Sequence, residues 1–386
     1  MPLISNTQDL AAFCDRLKGE TFITVDTEFM REKTYWPVLC LIQVGGTEEA
    51  RCIDPLAPGI DLAPLYDLMA DESILKVFHA ARQDLEIFLH ESGKLPKPLF
   101  DTQVAAMVCG FGDSAGYETL VTKLTKARID KSMRFTDWSR RPLNDKQVKY
   151  ALGDVTHLRI VYESLAAMLA QSGRESWLAQ EMDILTTPSS YIVEPEEAWL
   201  RIKARSRSSK FLGMLRELAA WRERTAQERD LPRNRIIRDE GLLEIAASAP
   251  TTPEALSQLR SVSKGMADGS MGQGIIAAVK TAQSLSDREL PQPPKKDDLP
   301  QGLGPVVDLL RVLLKMKCEQ EGVAQKLVAN MSDLELIAAD DNAQVAALEG
   351  WRRELFGADA LRLKHGNLAI ALTEDGLGLR MIPLGE

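Results

Sequence analysis

Apolar residues over the first hundred positions come in short runs of strand length. TFITVDTEF (21–29), VLCLIQVG (38–45) and ARCID (50–54) read as three strands separated by short polar connections. The spacing becomes helical over 62–70, ILKVFHA (74–80) reads as another strand, and 82–89 as a helix. Strands that first meander and then alternate with helices predict a mixed α/β sheet covered by helices. After Phe100 the pattern is helical, with a long periodic stretch over 145–171.

The periodicity breaks twice more. TTPSSYIVEPEE (186–197) carries prolines and polar residues and marks a boundary, 210–227 is again helical, and PQPPKKDDLP (291–300) reads as a proline-rich linker. DLPRNRIIRDEGLLEIAA (230–247) and GVAQKLVANMSDLELIAA (322–339) match at an offset near 92 residues, in the order helix, extended segment, helix. The expected plan is an α/β domain over 1–185, a linker over 186–207, a helical domain over 208–290, the linker 291–300, and a second helical domain over 301–386.

Composition changes this picture little. A hydrophobic fraction of 45% and a charged fraction of 27% are those of a globular protein with more than one core. No run of about 18 apolar residues occurs and the N-terminus has no signal-peptide pattern, so no membrane association and a cytoplasmic location are expected. The five cysteines are scattered without a CxxC pair, which predicts reduced structural thiols and no zinc site.

The net charge of −9 argues at first against a nucleic-acid partner. Its distribution qualifies that. Residues 122–150 hold nine Lys or Arg against three Asp, and 198–216 hold six basic residues (Arg207 among them) and no acid. Either run is also what a solvated helix face looks like.

The chemistry sits in the carboxylates. Asp26 and Glu28, two apart on a strand, share one face of the sheet, where burial without compensation costs several kcal/mol each (~1–3 or more). Divalent cations would neutralise them; an edge strand with its acidic face in water is the alternative. Asp84 lies early in a helix, where an acid also suits the helix dipole. Tyr150 and Asp154 are four apart on a helical pattern and share a face, as a packed tyrosine beside an exposed acid also would. Together, four carboxylates and a phenol supply what two-metal phosphodiester hydrolysis needs: hard oxygen ligands for two Mg²⁺ or Mn²⁺ ions and a group to orient water.

VDTEF, FHAARQD and YALGD resemble the three exonuclease motifs of the DEDD superfamily, tyrosine subclass, and WSRRPL (138–143) is similar to the segment found in its ribonuclease D members. The helical repeats resemble HRDC domains, with Leu218, Trp221 and Arg222 opening the first. The resemblance implies a ribonuclease H-like (DnaQ-like) exonuclease domain followed by two small all-α HRDC-like domains. It also implies removal of 5′-mononucleotides from RNA 3′ ends, tRNA precursors among them. In that scheme Asp26, Glu28, Asp84 and Asp154 hold the metals, Asp26 bridges them, and Tyr150 positions the water. A monomer is expected, because two appended domains can clamp RNA without a partner chain. The histidine subclass has His where Lys149 stands, and His79 stands where many superfamily members have Asn. Phe29, Gln43, His79, Gln83, Arg140 and Arg141 are candidate substrate contacts. The motifs alone leave open a DNA exonuclease on the same fold, or a scaffold that binds RNA without cutting it.

Overall fold

The computed structural model describes residues 3–129, 132–206, 208–292, 300 and 302–384. Arg207 and most of the expected proline-rich linker (293–299) lie outside the described residues. The chain divides into two compact units, one built from Met1–Glu28, Leu41–Thr187 and Asp297–Glu386, the other from Phe29–Cys40 and Pro188–Lys296. Residues 29–40, inside the span expected for the first domain, thus belong to the second unit.

The first unit is organised by a six-stranded sheet of order β1-β4-β3-β2-β5-β6. Its strands are β1 (Leu3–Ile4), β2 (Phe22–Met30), β3 (Val38–Gly45), β4 (Ala50–Ile53), β5 (Leu75–Phe78) and β6 (Leu99–Asp101). β3 pairs antiparallel with β4, while β1 pairs parallel with β4 and β5 runs parallel to both β2 and β6, so the sheet is mixed. Its helices are α1 (Thr7–Leu17), α2 (Ala63–Ala70), α3 (Arg82–Ser92), α4 (Thr102–Val108), α5 (Tyr117–Thr125), α6 (Asp145–Ser172) and α7 (Glu175–Leu185). β2 lies between β3 and β5, so the edge-strand alternative for Asp26 and Glu28 does not hold.

Alternation along β2 puts buried Ile23 and Val25 on one face and Thr24, Asp26 and Glu28 on the other. The second face meets α6: Thr24 Oγ1 donates to the carbonyl of Val155 at 2.8 Å. Gly45 permits this approach, because a Cβ there would lie 2.6 Å from Thr24 Oγ1 and 3.4 Å from Val155 Cβ. α6 starts at a capping box between Asn144 and Gln147 and ends at left-handed Gly173. Between them Val155, Leu158, Val161, Leu165 and Leu169 form a buried stripe, each side chain contributing about 1.5–3 kcal/mol.

A helical segment completes this unit: α14 (Gly304–Glu321), α15 (Gln325–Val328), α16 (Met331–Ala339), α17 (Gly350–Arg352) and α18 (Ala358–Lys364). It ends in a hairpin of β7 (Leu368–Leu372) and β8 (Leu379–Pro383), a feature the helical pattern had not foreshadowed. Ala324 N–H donates to the carbonyl of Met107 at 3.0 Å, and Arg174 pairs with Glu321 at 2.9 Å, so this segment packs directly on α4 and α7. The backbone contact at Gly110 (φ +83°) is so close that a Cβ would lie 2.6 Å from the carbonyl oxygen of Gly322.

The second unit is helical: α8 (Ser209–Glu228), α9 (Arg233–Ile236), α10 (Asp239–Ser248), α11 (Pro253–Ser257), α12 (Lys264–Asp268) and α13 (Ser270–Ser284). α9 and α15 begin at Arg233 and Gln325, α10 and α16 at Asp239 and Met331, both pairs 92 residues apart, as the sequence repeat predicts. Within this unit the turn of the segment 29–40 is fixed by Asp230, whose carboxylate accepts from the backbone N–H groups of Tyr35 (3.0 Å) and Trp36 (2.9 Å).

Candidate active site

Three carboxylates converge where β2 faces α6. Oxygens of Asp26, Glu28 and Asp154 all lie within 4.8 Å of one another. The strand period supplies the first two and the buried face of α6 the third. Asp84 comes from the first turn of α3 and is buried, held by a 2.5 Å hydrogen bond from Thr27 Oγ1. Thr27 sits between Asp26 and Glu28 on β2, so the strand that carries two of the carboxylates also holds Asp84 by its side chain.

The turn that delivers Asp84 is built around Asp101. Its carboxylate accepts from the N–H groups of Ala80 (3.0 Å) and Ala81 (2.8 Å), and from Gln103 at the start of α4 (2.8 Å). Ala80 adopts φ +56°, a left-handed conformation that costs a non-glycine residue about 1–2 kcal/mol. The buried Asp101 cap holds it there. Strain of this kind clusters at functional sites.

The electrostatics are those of crowded, buried carboxylates. Burial and the neighbouring charge of Asp154 push the Asp26 carboxyl well above its ordinary range. Burial, followed by the charges of Asp26, Asp154 and Asp84, raises Glu28 to about 9, opposed by Arg134. Burial raises Asp154 to about 7 even though the Tyr150 hydroxyl donates a hydrogen bond to it. Asp84 is raised by burial and by Asp26, with the Thr27 hydrogen bond acting the other way. Burial and the surrounding carboxylates also raise Tyr150, so at neutral pH it is a phenol, not a phenolate. Crowded oxygen donors whose mutual repulsion a divalent cation would relieve fit a metal centre of hard-ion chemistry.

Tyr117, which no sequence signal marked, joins this group. Its hydroxyl donates to the backbone carbonyl of Asp154. Its ring lies 5.3 Å from that of His79. Burial holds His79 neutral, lowering it to about 4. Thr102 Oγ1 donates its proton to the carbonyl of Phe78 (3.0 Å), so His79 Nδ1, 3.0 Å from the same oxygen, must be the donor to it. Trp138 is buried beside Tyr150, ring centroids 6.1 Å apart, and backs the phenol.

The six candidate substrate contacts fare differently. Gln83 is exposed beside Asp84, and Phe29 is half-buried at the end of β2. His79 is partly buried and serves the network above. Arg140 is 83% exposed in its side chain, pairing with Asp137 at 3.1 Å. The last two are more enclosed. Gln43 has no exposed surface. The Arg141 guanidinium is held by both oxygens of Asp54 at 2.7 and 2.6 Å, which anchors its loop and leaves the side chain 25% exposed.

A family model described as a 3′-5′ exonuclease matches residues 1–170, and one described as an HRDC domain matches residues 211–279. Ribonuclease D of Granulibacter bethesdensis is 49% identical over 384 residues, covering 99% of this chain and 97% of that protein. Ribonuclease D of Nitrobacter hamburgensis is 52% identical, covering 96% of this chain and 97% of that protein. The crystal structure of Escherichia coli RNase D, described as an exoribonuclease involved in structured RNA processing, superposes with a TM-score of 0.82 at 32% identity, covering 94% of this chain and 98% of that one. With near-complete coverage, this identity and the same fold, the chain belongs to the ribonuclease D family.

Proposed function

We propose that this protein is a 3′→5′ exoribonuclease that hydrolyses the terminal phosphodiester of RNA and releases 5′-mononucleotides. The observation that carries the proposal is the convergence of Asp26, Glu28 and Asp154, with Asp84 buried beside them. These four carboxylates are the proposed ligands of two divalent ions, Mg²⁺ or Mn²⁺. Such ions, when bound, supply the positive charge that an in-line phosphodiester displacement requires.

The protein groups divide the remaining work. Positive charge would offset the carboxylates' mutual repulsion and favour their ionised form, so the cluster suits cations. Tyr150, a protonated phenol backed by Trp138, orients the attacking water by a hydrogen bond. Asp154 accepts that phenol's proton bond in the resting site and thereby sets the direction of its hydroxyl.

Structured RNAs, tRNA precursors among them, are the proposed natural substrates, the E. coli relative being described as acting in structured RNA processing. The recurrence of two helix starts at an offset of 92 residues supports reading the C-terminal helices as a diverged second HRDC-like region. Among the described residues no helix is long and apolar enough to cross a membrane, and all five cysteines are free, which fits a reducing cytoplasmic setting. A monomer is proposed, to be checked by light scattering.

Matched 5′-labelled RNA and DNA oligonucleotides with Mg²⁺, Mn²⁺ or EDTA test the activity. A metal-dependent ladder on RNA that shortens from the 3′ end, and that Asp26→Asn abolishes with the fold intact, is the expected result. Full turnover in Asp26→Asn would sink the assignment, and equal degradation of DNA would replace RNA with nucleic acid in general.

A further inference from the structure

Phe135 is 91% exposed, and it is the one aromatic among the exposed large hydrophobic side chains of the described residues. Leaving a phenyl ring in water forgoes the burial that a globular fold ordinarily recovers. The exposure does not come from a loose loop. Thr136 N–H and Oγ1 both bond the carbonyl of Met133 (3.1 and 2.8 Å), and Gln147 Nε2 reaches Thr136 Oγ1 at 3.4 Å. Three residues on, Trp138 is buried against Tyr150, and Arg141 is anchored on Asp54. An anchored turn therefore presents the ring outward.

That turn stands beside the candidate active site. Three residues of chain span at most about 11 Å, so Phe135 lies within that reach of Trp138, which packs on the proposed water-positioning phenol. Cations adjoin the ring in the chain: the Arg134 guanidinium carbon is 5.3 Å from the Phe135 ring centroid, and Arg140, paired with Asp137, is exposed five residues on. Arg134 is close enough to the carboxylates for its charge to oppose the rise of Glu28. An exposed aromatic among cations is the combination that grips single-stranded nucleic acid: the ring stacks on a base, while the cations meet phosphates.

We propose that Phe135 is a stacking platform for one nucleobase of the single-stranded RNA leading to the scissile phosphodiester, with Arg134 placed to meet a neighbouring phosphate. The inference rests on the exoribonuclease reading for its ligand. Every base has a π-face, so this contact holds the strand without selecting its sequence.

The test measures binding apart from turnover. Fluorescein-labelled single-stranded oligoribonucleotides are titrated with Asp26→Asn protein, with and without Phe135→Ala, Phe135→Leu or Phe135→Trp, and the Kd is read by anisotropy. Loss of a base–aromatic stack should weaken Kd about 5- to 150-fold for the Ala variant, with Trp retaining the parent Kd and Leu resembling Ala. An abasic nucleotide walked along the strand should reproduce the loss at one position and make the Ala variant and its parent indistinguishable there. An Ala variant within about twofold of the parent, or a Leu variant as tight as Trp, overturns the stacking role. Because the side chain is exposed, unchanged melting of all variants is expected and excludes a folding defect. The wild-type ladder assay stands separately: its failure removes the exonuclease reading, while the Kd series decides Phe135.

Discussion

The indole of Trp177 lies flat on that of Trp351, ring centroids 4.4 Å apart and planes 8° from parallel. Trp177 belongs to α7 and Trp351 to the C-terminal helical segment, where it is buried in that segment's core. Arg352 bonds Glu181 of α7 and covers the Trp351 ring at 4.6 Å, while Arg174 covers Trp177 at 4.8 Å. Two stacked indoles between two guanidinium groups thus join the C-terminal helices to the sheet-bearing part of the chain.

Trp351→Ala should therefore destabilise the first unit by about 3–5 kcal/mol, the scale of emptying a buried tryptophan site. In a double-mutant cycle with Trp177→Ala, a coupling of about 0.5–1.5 kcal/mol is expected in denaturant melts. Additive losses would show that the stack contributes only burial.

Tyr117 should act through Asp154. Phe at this position removes the hydroxyl that bonds the Asp154 carbonyl and leaves the ring beside His79. The metal concentration for half-maximal activity should rise about 10- to 100-fold, the usual cost of losing a group that orients a ligand. Excess metal should restore most of the turnover. A variant that loses turnover at every metal concentration would instead place the hydroxyl in the chemistry.

Stability of the metal-free protein should fall as pH rises. Glu28 is raised from 4.5 to about 9 and Asp154 from 3.8 to about 7, so between those limits the folded state binds more protons than the unfolded one. Each contribution is present below the unfolded pKa and is lost as pH climbs through the folded one. Scanning calorimetry in EDTA should show a falling Tm across neutral pH. Added Mg²⁺ or Mn²⁺ should restore it, with tighter binding at higher pH, because ligation needs the carboxylates deprotonated. A metal-free Tm that rises over this interval would contradict the buried cluster.

Glu223 has the opposite sign. Burial alone would raise it, but two bonds from Arg233 (2.5 and 2.6 Å) and one from the Tyr35 hydroxyl hold it below its ordinary value. This network should stabilise the second unit above about pH 4.5 and fail as pH falls through the lowered value. Glu223→Leu should cost about 1–3 kcal/mol by removing the acceptor shared by buried Tyr35 and the partly exposed Arg233, measured by urea unfolding.

Much of the site was legible because its ligands follow local periodicity. Asp26 and Glu28 are on one face through the two-residue strand repeat, and Tyr150 and Asp154 through the helical one, whatever the rest of the chain does. The strand β2, the strand β3 and the long helix α6 were readable for the same reason. Strands β1 and β6 were not, since two or three residues hold no pattern and are defined by the neighbours they pair with. The surroundings of Gln43 and Arg141 also escaped: one side chain is buried by its tertiary neighbours, the other is bonded by Asp54, 87 residues away.

By itself, then, the sequence determined the carboxylate pairs, the order of sheet and helices, and the 92-residue repeat, because each depends on spacing between residues close in the chain. Only the tertiary structure decided that β2 is interior, that Asp84 is held by Thr27, and that Tyr117 supports Asp154. It alone likewise decided that Phe135 stays in water while Trp138 does not. Those outcomes depend on contacts between distant segments, and on which of several similar side chains a folded surface leaves room to bury. Local periodicity carries no record of either.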